Sequence, residues 1–241
     1  DYDNVNRINH WEFDMGSRTV VATFGEGCYF AGYDVALPTE YAYKSKSEGG
    51  IWEEGDLRRD ESIRYDFTYL GITPTEVSWG ADELDPHIKK YEDERTDQFN
   101  GNLANEWYSG KNFIVLRYAD VLLCYAECLN ELGETGEANT VVNQVRARAW
   151  GGTLPNEMAW NYGQDEFRVQ IMDERIRELC FEGWRRMDLI RTGKFVELIK
   201  ERNPWAKKSG TIKEFHMRWP IPDTEIKNNS DISEEDQNPG Y

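Results

Sequence analysis

Apolar positions change their rhythm near residue 112. From 1 to about 111, short apolar or alternating stretches such as Thr19-Val20-Val21-Ala22-Thr23-Phe24 are separated by clusters of Gly, Pro, Asp and Ser, a pattern of loops, brief strands and few long helices. Gly49, Gly50, Gly71, Pro74 and Gly80 punctuate segments too short for a helical bundle. From Asn112 onward, Phe113, Leu116, Ala119, Leu123, Ala126 and Leu129 to Leu132 recur three and four residues apart, which predicts one packed helix, with Gly133 as a left-handed cap. A second helix is predicted from about 136 to 149, with Ala138, Val141, Val142 and Val145 inward and Arg146 and Arg148 in the last turn, where they suit the helix dipole. The two make an αα-hairpin of tetratricopeptide-like dimensions, although one hairpin is not a repeat array.

A third helix is predicted to start near Gln164 with Asp165 as its cap, and to run through Ile171, Leu179, Trp184 and Ile190 to Gly193 as the longest element. A short helix over 195–202 should close at Pro204, and Trp219-Pro220-Ile221-Pro222 should lie in an extended tail. The expected fold class is mainly α, with tetratricopeptide-like helical hairpins, a long irregular, loop-rich segment and short strands. Residues 1–111 form the loop-rich segment and candidate ligand face, and residues 112–241 the helical region and tail.

Charge narrows the partners. With 45 acidic against 28 basic side chains the net charge is -17, a field that repels a phosphate backbone, so no nucleic-acid partner is expected. The four cysteines do not make a disulfide framework; Cys124 and Cys128 sit four apart in a predicted helix and read as small core residues. No apolar run approaches the roughly 20 residues of a membrane span. The chain opens Asp1-Tyr2-Asp3-Asn4, with neither Met nor a leader, as expected of a processed or truncated product.

Candidate chemistry is sparse. Carboxylate pairs are uninformative in so acidic a chain. The most tempting cluster, Asp173, Glu174, Arg175, Glu178, Glu182 and Arg185, spaces acids and bases three and four apart on one helix, where they pair with one another. His10, His87 and His216 are scattered, and Asp82, Glu83 and Asp85 lack the spacing of a calcium loop, so no metal site is assigned. Neither a nucleophile motif nor a nucleotide fingerprint occurs; no catalytic residue and no cofactor is expected. What remains is aromatic richness in the irregular portion. Rings on loops suit sugars, whose C–H faces are apolar and whose hydroxyls need hydrogen bonds. Trp11, Tyr29, Tyr33, Trp79 and Trp107 are the ligand-binding candidates, each with a core role as the alternative; Trp79, between Ser78 and Gly80, looks the most loop-borne.

Residues 112–241 resemble the SusD/RagB family. The run from Asn112 to Leu123 (NFIVLRYADVLL), continued by Tyr125-Ala126-Glu127 and Asn130-Glu131, is similar to the family's Arg-Tyr-Ala helix. Val142 to Ala149 (VNQVRARA) resembles its Asn-x-x-Arg-x-Arg-Ala helix. Glu174 to Leu179, Glu182-Gly183-Trp184-Arg185-Arg186 and Asp188 to Arg191 follow its next stretch, and Pro220-Ile221-Pro222 with the closing Gln237-Asn238-Pro239-Gly240-Tyr241 resembles its tail. Gly55-Asp56-Leu57-Arg58-Arg59 matches more loosely. The resemblance implies cell-surface capture of an oligo- or polysaccharide for polysaccharide utilisation in Bacteroidetes. It implies an outer-membrane lipoprotein, without enzymatic activity, that delivers glycan to a SusC-like TonB-dependent transporter. It also implies that the lipid anchor and most helical hairpins lie in an N-terminal half outside this chain, whose absence would leave apolar helix surface exposed. A helical scaffold binding peptide or protein is the alternative; a glycoside hydrolase comes third.

Overall fold

The computed structural model describes residues 14–74, 86–99, 109 and 111–241, and the chain divides into two compact units, Asp1–Arg185 and Arg186–Tyr241. Ten α-helices stand against one two-stranded sheet among the described residues, so the fold is mainly α as expected.

The first unit begins with α1 (Arg18–Phe24), where a strand-like stretch was expected. The segment is helical because Val20 and Phe24, one turn apart, both join a cluster with Phe30, Phe67 and Tyr69. α2 (Glu40–Tyr43) and α3 (Arg58–Ser62) are single turns. α3 runs directly into β1 (Ile63–Arg64), which pairs antiparallel with β2 (His87–Ile88). Trp52 is fully buried and donates from Nε1 to the Ala42 carbonyl at 2.7 Å.

The helical part follows as α4 (Tyr118–Glu131), α5 (Thr135–Ala149) and α6 (Gln164–Leu179). Leu123, Ala126 and Leu129 of α4 meet Ala138, Val142 and Val145 of α5 and Phe167 and Ile171 of α6 in one core. Gly133 takes the predicted left-handed conformation at the hairpin turn. The start of α4 differs from expectation. Residues 112–117 are not helical, and Phe113 and Leu116 are exposed. Arg117 is held extended at φ -141 and ψ 159 while its guanidinium reaches Glu178 and Glu182. Cys124 and Cys128 are exposed rather than core, because they occupy the outer side of α4; Cys28 and Cys180 are buried, and all four are free.

Two asparagines on α5 hold an extended segment as a strand edge would. Asn143 donates to the Trp160 carbonyl at 3.0 Å and accepts from its N–H at 2.8 Å; Asn139, one turn earlier, does the same for Tyr162 at 2.9 and 3.1 Å. Buried backbone groups need such partners.

α6 stops at Leu179 instead of continuing to Gly193, and Asp165 lies in its first turn while Gly163 is the cap position. Phe181 and Gly183 turn left-handed at φ 66 and 86. The carbonyls freed by the break find side-chain donors: Lys90 Nζ reaches Glu178 and Cys180 at 3.3 and 3.0 Å, and the Tyr91 hydroxyl donates to Phe181 at 2.6 Å.

α7 (Arg185–Arg191) spans the division between the units. In the second unit, α8 (Phe195–Arg202) matches expectation, but Pro204 opens a further helix, α9 (Pro204–Ser209). Asn203 caps it by accepting from the N–H groups of Trp205 and Ala206, both at 3.0 Å, and proline is favoured at a first helical position. The tail also holds α10 (Asp223–Asn228). Its last residues return on Trp219-Pro220-Ile221. Gln237 bonds both backbone groups of Ile221 at 2.8 and 3.0 Å, Asn238 donates to the Trp219 carbonyl at 2.8 Å, and the Tyr241 hydroxyl donates to the Arg218 carbonyl at 2.9 Å.

Candidate functional site: two clefts over an ionic lattice

α6 carries Glu174 and Glu178 one turn apart, and both side chains are fully buried. Buried carboxylates must be paired. Arg58 of α3 bridges them through Nη1, at 2.8 and 3.0 Å, and closes on Asp56 with two further bonds of 2.9 and 2.6 Å. Arg146 of α5 reaches Glu174 at 2.9 Å and Glu53 at 2.6 Å, and Arg177 reaches Glu174 at 2.7 Å. Arg117 and Arg148 both pair with Glu178. Burial alone would raise the Glu174 carboxyl, but Arg58, Arg177 and Arg146 outweigh it and hold the group well below the usual carboxylate range. Glu178 is lowered in the same way, with burial opposed by Arg58 and Arg117. The lattice therefore joins the loop-rich segment to the helices, and its carboxylates are engaged as counter-ions rather than as acids or bases.

Two clefts of about 540 Å³ each lie among these segments, and the second includes lattice residues in its lining. The first, beside β1, is lined by Tyr29 and Tyr65 with carboxylates and amines such as Asp60, Asp66, Lys89 and Glu94. Arg64 forms a two-bonded pair with Glu92 and donates to the Tyr29 hydroxyl at 3.4 Å. Burial raises both the Glu92 carboxyl, against the pull of Arg64, and the Tyr29 hydroxyl. The Arg59 guanidinium lies 4.7 Å from the Tyr65 ring centre, and the Tyr65 hydroxyl donates to the Tyr43 carbonyl. Two positioned rings within a polar rim can stack a pyranose and bond its hydroxyls. The second cleft, on the other side of Lys90 and Lys111, which line both, has Leu57, Tyr91 and Ile114 among its walls with Arg117 and Arg148.

Of the sequence candidates, Tyr29 lines the first cleft. Tyr33 packs against the Val20–Phe30 cluster and donates to Glu26 at 3.2 Å. Trp11, Trp79 and Trp107 lie outside the described residues, as do Asp82, Glu83 and Asp85. Tyr65 belongs to the aromatic richness of the irregular segment but was not among the five candidates; ring type alone did not separate it from the other aromatics there. The charged series on α6 was expected to pair within its own helix; Glu174 does pair with Arg177, but Glu174 and Glu178 also draw Arg58, Arg117, Arg146 and Arg148 from distant segments, and Arg175 pairs with Asp120 at 2.9 Å. Among the described residues no group of three metal-binding side chains occurs, and no helix is long and apolar enough to cross a membrane.

The SusD family model matches residues 14–241. SusD-like protein P2 of Formosa agariphila is 31% identical over 222 residues, which is 88% of this chain and 41% of that protein. The starch-binding protein SusD of Bacteroides thetaiotaomicron is 28% identical over 159 residues, 64% of this chain and 26% of that protein. The solved structure of surface glycan-binding protein A from Bacteroides fluxus superposes with a TM-score of 0.60 at 25% identity, covering 89% of this chain and 42% of that one. The chain thus spans less than half the length of each of these relatives. With the family's pattern matched across nearly all of its length and its helical fold shared with a solved relative, this chain belongs to the SusD family.

Proposed function

We propose that the chain is the C-terminal part of a cell-surface protein that binds an oligo- or polysaccharide and hands it, uncleaved, to a SusC-like TonB-dependent transporter, with a lipid anchor on the outer membrane outside this chain. The observation that carries the reading is the first cleft, where Tyr29 and Tyr65 stand among carboxylates and amines. Rings held by neighbouring arginines lose little freedom when a sugar stacks on them, and the charged rim supplies donors and acceptors for hydroxyls. The relatives' names, starch-binding and surface glycan-binding, support the same ligand class.

Affinity electrophoresis of the full-length protein through gels containing a panel of polysaccharides tests it, with Tyr65→Ala and Tyr29→Ala beside the wild type. Retardation by at least one glycan is expected, weakened about tenfold in Tyr65→Ala if the ring is a central contact. No retardation across the panel would overturn the glycan in favour of a peptide or protein ligand. Release of reducing ends during incubation would overturn binding without cleavage.

A further inference from the structure

The second cleft carries a charge balance opposite to that of the chain as a whole. In a chain of net charge -17, its lining holds six cationic side chains against three acidic ones. Three of the cations stand nearer solvent than the two carboxylates they pair with. The side chain of Glu178 is 0% exposed and that of Glu182 7%, whereas those of Arg117, Lys90 and Arg148 are 22%, 24% and 64% exposed. A solute reaching this part of the lining meets Arg117, Lys90 and Arg148 ahead of Glu178 and Glu182, while the third acid, Glu61, is exposed and Arg58 and Arg177 lie buried. Arg148 is engaged through Nη2 with Glu178, and its Nε and Nη1, on opposite edges of the guanidinium, remain as donors for an incoming anion. Leu57, Tyr91 and Ile114 supply apolar wall beside these groups. The net negative charge does not cancel this local field, since at physiological salt exposed charges beyond about 8 Å are screened.

We propose that this cleft is an anion subsite, and that the preferred ligand is an acidic glycan whose carboxylate or sulfate sits against Arg148 and Arg117 while a neighbouring sugar stacks on Tyr29 or Tyr65 in the first cleft. Lys90 and Lys111 line both clefts, so a chain of linked sugars can reach from one to the other. The inference rests on the glycan-binding reading above and narrows its ligand class.

The test is titration calorimetry of the full-length protein with matched polysaccharides: polygalacturonate against its carboxyl-reduced form, and a sulfated galactan against the same galactan after desulfation. The two pairs separate a carboxylate from a sulfate as the anchoring group. At least one acidic member should bind about tenfold or more tightly than its neutral counterpart, as one charge-assisted contact implies, and the preference should shrink as salt is raised. Arg148→Gln should remove most of that preference while leaving affinity for the neutral form unchanged; Arg148→Lys should keep part of it. Because Arg148 is mostly exposed and Glu178 keeps Arg58 and Arg117, the variants should fold, which thermal melting verifies. A purely structural effect would weaken both forms alike and would overturn the subsite. Equal affinity for acidic and neutral members overturns the subsite but leaves glycan binding standing. Binding to no glycan, acidic or neutral, sinks both.

Discussion

Glu174 is the residue on which three arginines converge. Replacing it with Gln keeps the volume but leaves Arg58, Arg146 and Arg177 short of a counter-charge in a dry site, so Glu174→Gln is expected to cost about 3–5 kcal/mol in urea unfolding. The same carboxyl sets an acid limit. Its folded pKa, like those of Glu178 and Glu53, is depressed relative to the unfolded chain. The stabilisation is therefore complete above the unfolded carboxylate range of about 4.3 and is lost as pH falls below it. Unfolding free energy measured from pH 7 to pH 3 should decline steeply below about pH 4 in the wild type and less steeply in Glu174→Gln; parallel declines would show that other acids control the limb. Little of this was legible in sequence. A periodicity reading counts Glu and Arg as polar and so assigns their face to solvent, while Arg58, Arg117 and Arg146 lie far from α6 along the chain. Aromatic type was equally ambiguous, since Trp52 proved fully buried and Tyr29 lines a cleft.

Among elements, the α4–α5 hairpin was readable because its apolar stripe and its turn glycine obey local rules. The clasp of Asn139 and Asn143 on residues 160–162 was not, since an asparagine in a helix gives no sign of which distant backbone it will meet. Asn143→Ala leaves the Trp160 amide and carbonyl unpaired and should lower stability by about 1–3 kcal/mol, with a change in near-ultraviolet dichroism from Trp160; an unchanged unfolding midpoint would mean that water replaces the clasp. The end of α6 was misread for a related reason. Apolar spacing continues past Leu179, but the backbone turns at Phe181 and Gly183, where Lys90 and Tyr91 accept its loose end. Two glycines test this backbone account. At Gly183, with φ 86 and nothing within 4 Å of an added Cβ, alanine should cost about 1–2 kcal/mol through conformation alone. At Gly136, inside α5 with equally open space and no positive φ, alanine should stabilise by about 0.5–1 kcal/mol. Thermal melts of both variants should shift in opposite directions.

At the scale of the molecule, the outer side of α4 is apolar where a solvated helix would be polar. Tyr118, Val121 and Tyr125 are exposed on it, with Val115 and Leu116 just before it and Leu132 just after. Patches of that kind mark surfaces made to be covered, and the sequence resemblance anticipated such a surface. The isolated chain should bind an apolar dye and associate with rising concentration, and the double substitution Val121→Glu with Tyr125→Lys should reduce both without lowering the melting temperature. Dye binding unchanged by the pair would place the sticky surface elsewhere.

The clasp on Trp219-Pro220-Ile221 bears on how the second unit is made. Gln237 lies 16 positions after the residue it holds, and Asn238 and Tyr241 lie 19 and 23 after theirs. A ribosome delivers the chain from its N-terminus, so earlier segments can fold while later ones are still being added. The Trp219 segment is thus made before the side chains that fasten it, and takes its final place only once Gln237, Asn238 and Tyr241 are present.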